Sequence, residues 1–256
     1  MTSDERELAV KLYAGGASAK ECAALFGRSA NSMWLLMKKS GVVRHTVGRT
    51  KNCRADDSFF DVIDSEEKAY WLGFISADGN IKECGVVSLT LAARDSAHVH
   101  KFARALRSTY KISSAVYSGF GQTSTSIVSH GLVAGLARLG VHPCKSLTIK
   151  PTNVEPELAR HYWRGVVDGD GSIHYRANGY YVVNLVGTRE MLAGFISAVQ
   201  SELALSKPSI TPNGSICITS YANKKAQLVT DWLYGGASVV LARKAKLAQA
   251  AVSAAA

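Results

Sequence analysis

The sequence Ala-Tyr-Trp-Leu-Gly-Phe-Ile-Ser-Ala-Asp-Gly-Asn-Ile occupies residues 69–81, and most of the chain is organised around it. It combines an apolar, helix-like stretch with an acidic residue, Asp78, that is followed directly by a glycine. A second copy, Tyr-Trp-Arg-Gly-Val-Val-Asp-Gly-Asp-Gly-Ser-Ile, occupies residues 162–173 and places Asp170 at the matching position. The two aspartates are 92 residues apart, a spacing typical of a duplicated half-domain rather than of one supersecondary unit.

Small residues recur at the same spacing in both copies. Gly73 and Ala77 are four residues apart in the first copy, as are Gly165 and Gly169 in the second. Residues four apart lie on one face of a helix, and a face of small residues lets two helix backbones approach closely. We therefore expect the two motif helices to pack against each other as a seam, with their acidic C-terminal ends side by side.

Two adjacent carboxylates at the negative ends of helix dipoles repel each other unless a cation lies between them. Carboxylate oxygens with open positions suit Mg²⁺ or Mn²⁺, together with water and phosphate oxygens. The alternative is that each aspartate is a helix-terminal turn residue in front of a left-handed glycine.

The pattern after each motif predicts an α+β fold with two pseudo-symmetric αββαββα halves, at residues 57–152 and 153–247. The two antiparallel sheets are expected to form a saddle that fits the major groove of DNA. The alanine-rich tail at residues 248–256 is expected to be a frayed helix end or disordered.

A small all-α domain is predicted to precede these halves at residues 1–45. Three short helices with a glycine-containing turn fit a helix-turn-helix, whose third helix would contact DNA. The alternative is a helical bundle that binds protein or nothing. Residues 46–56 form a basic, non-periodic linker, which either follows the DNA backbone or serves only as a connection.

Charge favours a polyanionic partner. The net charge is +10, and residues 96–154 contain seven Lys and Arg without one acid. A solvated basic surface is the alternative interpretation. The five cysteines are scattered, which favours a reducing compartment over a zinc or disulfide framework, and no segment indicates a signal peptide or membrane partner.

The two motifs, Trp-Leu-Gly-Phe-Ile-Ser-Ala-Asp-Gly (71–79) and Trp-Arg-Gly-Val-Val-Asp-Gly-Asp-Gly (163–171), resemble the paired signatures of single-chain LAGLIDADG homing endonucleases. The resemblance covers roughly residues 57–247. It implies that Asp78 and Asp170, with Ala77 and Gly169 directly before them, form the metal site. It also implies that Lys145 and Lys244 assist the chemistry, although both fit ordinary surface lysines.

The expected activity is metal-assisted cleavage of both strands of a specific double-stranded DNA site by a monomer that acts as a pseudo-dimer. Asp95 and Thr188, which head the second helix of each half, order waters in this interpretation or simply cap their helices. The candidate DNA contacts are Arg28, Ser29, Asn31, Ser32, Arg44, Arg49, Lys51, Asn80, Lys82, Ser88, Thr90, Ser172, His174, Arg176 and Asn184.

Two departures from the family pattern stand out. Ser76 replaces the usual acid at the sixth position of the first motif, while Asp168 keeps it in the second. Unequal cutting of the two strands is the expected consequence. Arg164 introduces a charge into an apolar helix, where it either reaches the surface or pairs with an acid.

Two rival functions use the same scaffold. One is a transcription regulator that binds DNA without cutting it, although the retention of both motif acids argues against that reading. The other is an RNA-splicing maturase, which the sequence leaves open. We expect a free-standing, cytoplasmic, nucleoid-associated protein of bacterial or phage origin that acts in intron homing.

Overall fold

The computed structural model describes residues 1–42, 53–177 and 179–253, which fall into two compact units, Met1–Asn52 and Cys53–Ala256. The first unit contains α1 (Ser3–Ala14), α2 (Ala19–Leu25) and α3 (Ala30–Lys39). Ser18 and Glu21 form a capping box at the start of α2, and Ser29 caps α3. Met33 and Met37 turn the buried face of α3 toward Ala9 and Cys22.

The first half of the second unit begins with the first motif helix. Its elements are α4 (Glu66–Asp78), β1 (Asn80–Lys82), β2 (Val86–Ala92), α5 (Ser96–Ala105), β3 (Ile112–Tyr117), β4 (Phe120–Val128) and α6 (His130–Arg138). The strands form an antiparallel sheet in the order β1-β2-β4-β3.

The second half repeats this order. Its elements are α7 (Pro156–Asp170), β5 (Gly171–Tyr175), β6 (Tyr181–Gly187), α8 (Arg189–Leu203), β7 (Thr211–Asn213), β8 (Ile216–Ala222) and α9 (Asn223–Tyr234). The sheet order β5-β6-β8-β7 matches that of the first half. The predicted pair of αββαββα halves is confirmed.

A further helix, α10 (Ala242–Ser253), follows the second half. Residues 248–253, for which we expected fraying or disorder, continue this helix, and Ala248 is buried. No helix in the described ranges combines the length and the apolar character needed to cross a bilayer.

The motif helices α4 and α7 pack directly on each other through their glycines. A Cβ atom added to Gly73 would overlap the carbonyl oxygen of Tyr162, and one added to Gly165 would overlap that of Tyr70. A Cβ on Gly169 would collide with that of Ala77. The predicted seam is therefore present, and its close approach requires glycine at these positions.

Candidate functional site at the seam of the two halves

The two motif aspartates end the two packed helices. Asp78 is the last residue of α4 and Asp170 the last of α7. The glycines that follow them, Gly79 and Gly171, have φ values of −71° and −90° and lead straight into β1 and β5. The left-handed glycine turn of the alternative interpretation is therefore wrong. Glycine is needed here because an added Cβ would meet the preceding turn of its own helix within 2.7 Å.

The pKa values of both motif carboxyl groups are raised. Asp78 is exposed at the surface on one side and Asp170 is half-buried. Burial and the neighbouring Asp78 raise the pKa of Asp170 to about 6. Burial on its inner side raises the pKa of Asp78, although Lys244 and Lys145 oppose that shift. The site thus holds more negative charge than its surroundings stabilise, which favours uptake of a cation or a proton.

Both predicted lysines lie beside these acids and are buried. The Lys145 ammonium donates a hydrogen bond of 2.9 Å to the carbonyl oxygen of Ala77, near the end of α4. The Lys244 ammonium donates three, at 2.6–2.7 Å, to the carbonyl oxygens of Val167, Asp168 and Gly171 around the end of α7. Burial lowers the pKa of both lysines, that of Lys244 to about 8. Each lysine therefore places its positive charge against carbonyl oxygens at or next to a helix C-terminus, where the helix dipole is negative.

The two lysines differ in hydrogen-bonding capacity. An ammonium group has three N–H donors, so the three carbonyl oxygens around Lys244 occupy all of them. Within the described part of the chain, Lys145 donates to a single oxygen, that of Ala77. Lys145 thus retains donors for another oxygen ligand, whereas Lys244 acts on its surroundings through charge and position.

The sixth motif position is structural in both halves. Asp168 is fully buried and accepts hydrogen bonds from the hydroxyls of Tyr70 and Tyr234 and from the backbone N–H of Leu241. Ser76, also buried, donates to the Leu72 carbonyl oxygen within its own helix. Asp168 thereby fixes the start of α10 and the position of Lys244. The difference between Ser76 and Asp168 thus concerns how a helix is anchored. Asp168 is enclosed by protein partners, whereas Ser76 borders a small pocket that also contains Asp170.

Arg164 is fully buried, so its predicted extension to the surface is wrong and its pairing with an acid is confirmed. The guanidinium lies 2.7 Å from the Glu66 carboxylate at the start of α4. It also donates to the carbonyl oxygens of Val239 and Leu233. This ion pair connects the two motif helices at the end opposite the aspartates.

Thr188 and Asp95 occupy matching positions but behave differently. Thr188 caps α8, accepting from the Met191 N–H and donating to the Ile149 carbonyl oxygen. The predicted capping by Asp95 is wrong, since its carboxylate makes no cap hydrogen bond and instead accepts from Arg243 at 2.9 Å. A basic cavity of about 230 Å³ adjoins this pair and is also lined by Arg94, Lys101 and Lys246.

Sequence reasoning missed the basic character of this cavity. Its cations come from the segment before α5, from α5 itself and from α10, which are far apart in the chain. Asp95 and Arg243 both influence the pKa of Asp78, so the cavity lies within electrostatic reach of the acid pair. A more enclosed pocket of about 140 Å³ contains Asp170 and is mainly apolar, with Val166, Met191 and Ile216 in its lining.

The donor set at the seam fits a magnesium ion. Mg²⁺ is typically held by one or two carboxylates and completes its shell with water and substrate phosphate. Asp78 and Asp170 supply the carboxylates, and the raised pKa of Asp170 reflects the charge that a cation would neutralise. The Ala77 carbonyl already accepts from Lys145, while Gly169 lies half-buried next to Asp170. The described residues contain no cluster of three or more His, Cys, Asp or Glu suited to a metal.

The outer faces of the two sheets carry matching polar rows. Asn80, Ser88 and Ser126 lie opposite one another across β1, β2 and β4. Ser172, Asn184 and Ser220 form the same row across β5, β6 and β8. Ser126 and Ser220 were missed, although the alternation of Ser and Thr along 123–126 was a usable signal.

The structure also locates the remaining predicted contacts. Lys82, Thr90 and Arg176 are exposed, and His174 is half-buried. In the first unit Arg28, Ser29, Asn31 and Ser32 are exposed around the start of α3, and Ser29 also caps that helix. Arg44, Arg49 and Lys51, like most of the linker, lie outside the described residues.

Solved structures share this fold. The meganuclease I-SmaMI bound to uncleavable DNA is 12% identical, covering 73% of this chain and 91% of that one, with a TM-score of 0.52. The LAGLIDADG meganuclease I-AabMI bound to uncleaved DNA is 13% identical, covering 72% and 88%, with a TM-score of 0.49. The I-SmaMI likeness confirms the predicted fold class, that of the LAGLIDADG homing endonucleases.

A further likeness is to full-length DUF199/WhiA from Thermatoga maritima, at 16% identity and a TM-score of 0.49, covering 78% of this chain. This chain spans only 65% of the length of that protein. No protein-family model and no curated protein sequence matches the chain.

Proposed function

We propose that this protein is a site-specific, metal-dependent DNA endonuclease that cuts both strands. The observation that carries the proposal is the symmetric pairing at the seam: each half contributes one aspartate at a helix end and one buried lysine beside it. A structural role alone would not account for the position of Asp78, which, together with burial, raises the pKa of Asp170 across the seam.

The chemistry follows from these groups. Asp78 and Asp170 would hold Mg²⁺ or Mn²⁺, which when bound activates water and stabilises the charge on the leaving oxygen. Lys145 is positioned to donate a hydrogen bond to a phosphate oxygen, because among the described residues its ammonium donates only to the Ala77 carbonyl oxygen. Lys244 offsets the developing negative charge through space while it holds the end of α7.

Double-stranded DNA is the partner that the surface chemistry suits. The matching polar rows on the two sheets offer hydroxyl and amide groups for base and phosphate contacts, and the net charge is +10. The DNA-bound state of I-SmaMI, which shares the fold, supports the same assignment. A single chain with both halves would act as a pseudo-dimer, and intron homing at the host nucleoid is the role we propose for it.

The test starts by finding the DNA site. Purified full-length protein selects duplexes from a random library in Ca²⁺, and the enriched duplex is then incubated with Mg²⁺ or Mn²⁺. We expect cleavage of both strands at one position. Binding without cleavage would overturn the endonuclease proposal in favour of a DNA-binding regulator. In a parallel competition assay, tighter binding of structured RNA than of the selected duplex would favour a maturase.

A further inference from the structure

The hairpin that joins β3 and β4 ends in a pair of exposed aromatic side chains. Tyr117 and Phe120 are paired across the two strands, and Ser118 and Gly119 form the turn with φ values of 50° and 81°. Positive φ at both central residues is the signature of a tight type I′ hairpin turn. The two rings therefore lie on a defined strand pair and on the same side of it.

These side chains are unusually accessible. Tyr117 is 71% exposed and Phe120 is 74% exposed, more than any other aromatic residue in the described ranges. A tight turn needs no aromatic residues at these positions, and exposed aromatic pairs on a folded surface commonly mark a contact with a partner. The matching hairpin of the second half pairs Asn213 with Ile216 around Gly214 and Ser215, so this hairpin has no aromatic pair. The exposed tyrosines of the second half, Tyr175 and Tyr180, lie at the end of a different hairpin, that of β5 and β6.

The side of the hairpin that carries the rings is the polar outer face of the first sheet. Strand alternation places Phe120 on the same face as Gln122, Ser124 and Ser126, while Thr123 and Thr125 point into the core. Ser126 belongs to the polar row that we assign to DNA contacts. A ligand that covers this row and extends along β4 reaches the aromatic pair.

Charge points to the same ligand. Arg94 is exposed and directly follows Ala93, whose Cβ would lie 3.1 Å from a Cβ added to Gly121, the residue next to Phe120. Residues 96–154, which include both strands of the hairpin, contain no acid. This combination of a basic surround and apolar rings suits the major groove, where the methyl group of thymine is the apolar feature that aromatic side chains contact.

We propose that Tyr117 and Phe120 make apolar contact with thymine methyl groups at one flank of the DNA site. This inference rests on one part of the proposed function, the binding of double-stranded DNA, and does not require cleavage. Phe120 lies six residues along β4 from Ser126, which is level with Asn80, so the rings are about 20 Å, or about six base pairs, from that row. The contacted bases thus lie to one side of the acid pair.

The experiment compares DNA sites selected from a random duplex library by the wild type and by the double variant Tyr117→Ser/Phe120→Ser. We expect the variant to lose a thymine preference at one flank only and to bind the wild-type duplex roughly tenfold more weakly. Replacing those thymines by uracil, which removes only the methyl group, should weaken wild-type binding by a similar factor and leave the variant unaffected. Val62→Ser, which removes another exposed apolar side chain of the same unit, is the matched control and should change neither result.

An unchanged site and affinity in the double variant would overturn this inference while leaving DNA binding intact. Insensitivity of the wild type to uracil would overturn it as well. Failure of the wild type to enrich any duplex would defeat both this inference and the proposed function. Because both rings are exposed, urea unfolding of the double variant should match that of the wild type, which excludes misfolding as the cause of weaker binding.

Discussion

Substituting alanine for either seam glycine should destabilise the second unit strongly. The Cβ of Gly165→Ala would lie 2.7 Å from the Phe74 amide nitrogen and would overlap the Tyr70 carbonyl oxygen, whereas real Cβ contacts are at least 3.0 Å. Gly73→Ala meets the Tyr162 carbonyl in the same way. The obstacles are backbone atoms of a packed helix, so no side-chain rotation relieves them, and α4 and α7 have to separate by about 1 Å.

Overpacking of a well-packed core typically lowers the free energy of unfolding by about 1–3 kcal/mol. Because the added methyl group meets rigid backbone, we expect each glycine-to-alanine variant to lose about 3 kcal/mol or more. For a unit of this size that corresponds to a fall in melting temperature of about 6–12 °C. The assay is urea and thermal unfolding followed by tryptophan fluorescence, since Trp71, Trp163 and Trp232 report on the second unit.

Gly187→Ala is the matched control. It adds the same methyl group to a buried glycine whose nearest neighbour, the Cβ of Met191, would lie 3.7 Å away. We expect its unfolding to remain within about 1 kcal/mol of the wild type. If Gly73→Ala and Gly165→Ala unfold like Gly187→Ala, the close packing of the two motif helices is refuted.

Three further predictions concern charged groups around the seam. Lys244→Met should destabilise the protein more than Lys145→Met in urea unfolding, because it removes three buried hydrogen bonds instead of one. Equal losses would contradict the distinction between the lysines. Glu66→Gln leaves the buried Arg164 guanidinium without its counter-charge and should lower the free energy of unfolding by about 3 kcal/mol in the same assay. A loss below about 1 kcal/mol would show that the ion pair contributes little to stability. Because the pKa of Asp170 rises from 3.8 to about 6 on folding, the stability contributed by its bound proton is present at low pH and is lost as pH rises from about 4 to about 6. Asp170→Asn should therefore be more stable than the wild type at neutral pH but not near pH 4, and an Asn variant without this gain would contradict the charge repulsion.

The fold was predictable because the deciding signals are local and repeated. The matched spacing of Gly73 and Gly165 within two copies of one motif identified the packed helices, and strand alternation after each copy identified the sheets. The position of the two aspartates at the helix ends follows from the same repeat. Such periodic patterns can be recognised in a single sequence because each one is confined to a short stretch of consecutive residues.

The polar partners of the site were not predictable, because they join residues far apart in the chain. Asp168 accepts from Leu241, 73 residues later, and Arg243 pairs with Asp95 across 148 residues. No local pattern distinguishes an aspartate that anchors a distant helix from one that faces a ligand. For the same reason, the pairing of Arg164 with an acid was foreseen only as one of two alternatives, and its partner, Glu66, was not identified.

The central claim is that one aspartate from each half forms a single site for phosphodiester cleavage. Its most direct test is single-turnover cleavage of the selected duplex in Mg²⁺ by the wild type, Asp78→Asn, Asp170→Asn and the exposed control Asp64→Asn. We predict that either seam substitution slows double-strand cleavage by about 100-fold or more while DNA binding in Ca²⁺ stays within a few-fold, and that Asp64→Asn cleaves like the wild type. Wild-type cleavage rates in Asp78→Asn or Asp170→Asn would contradict the claim.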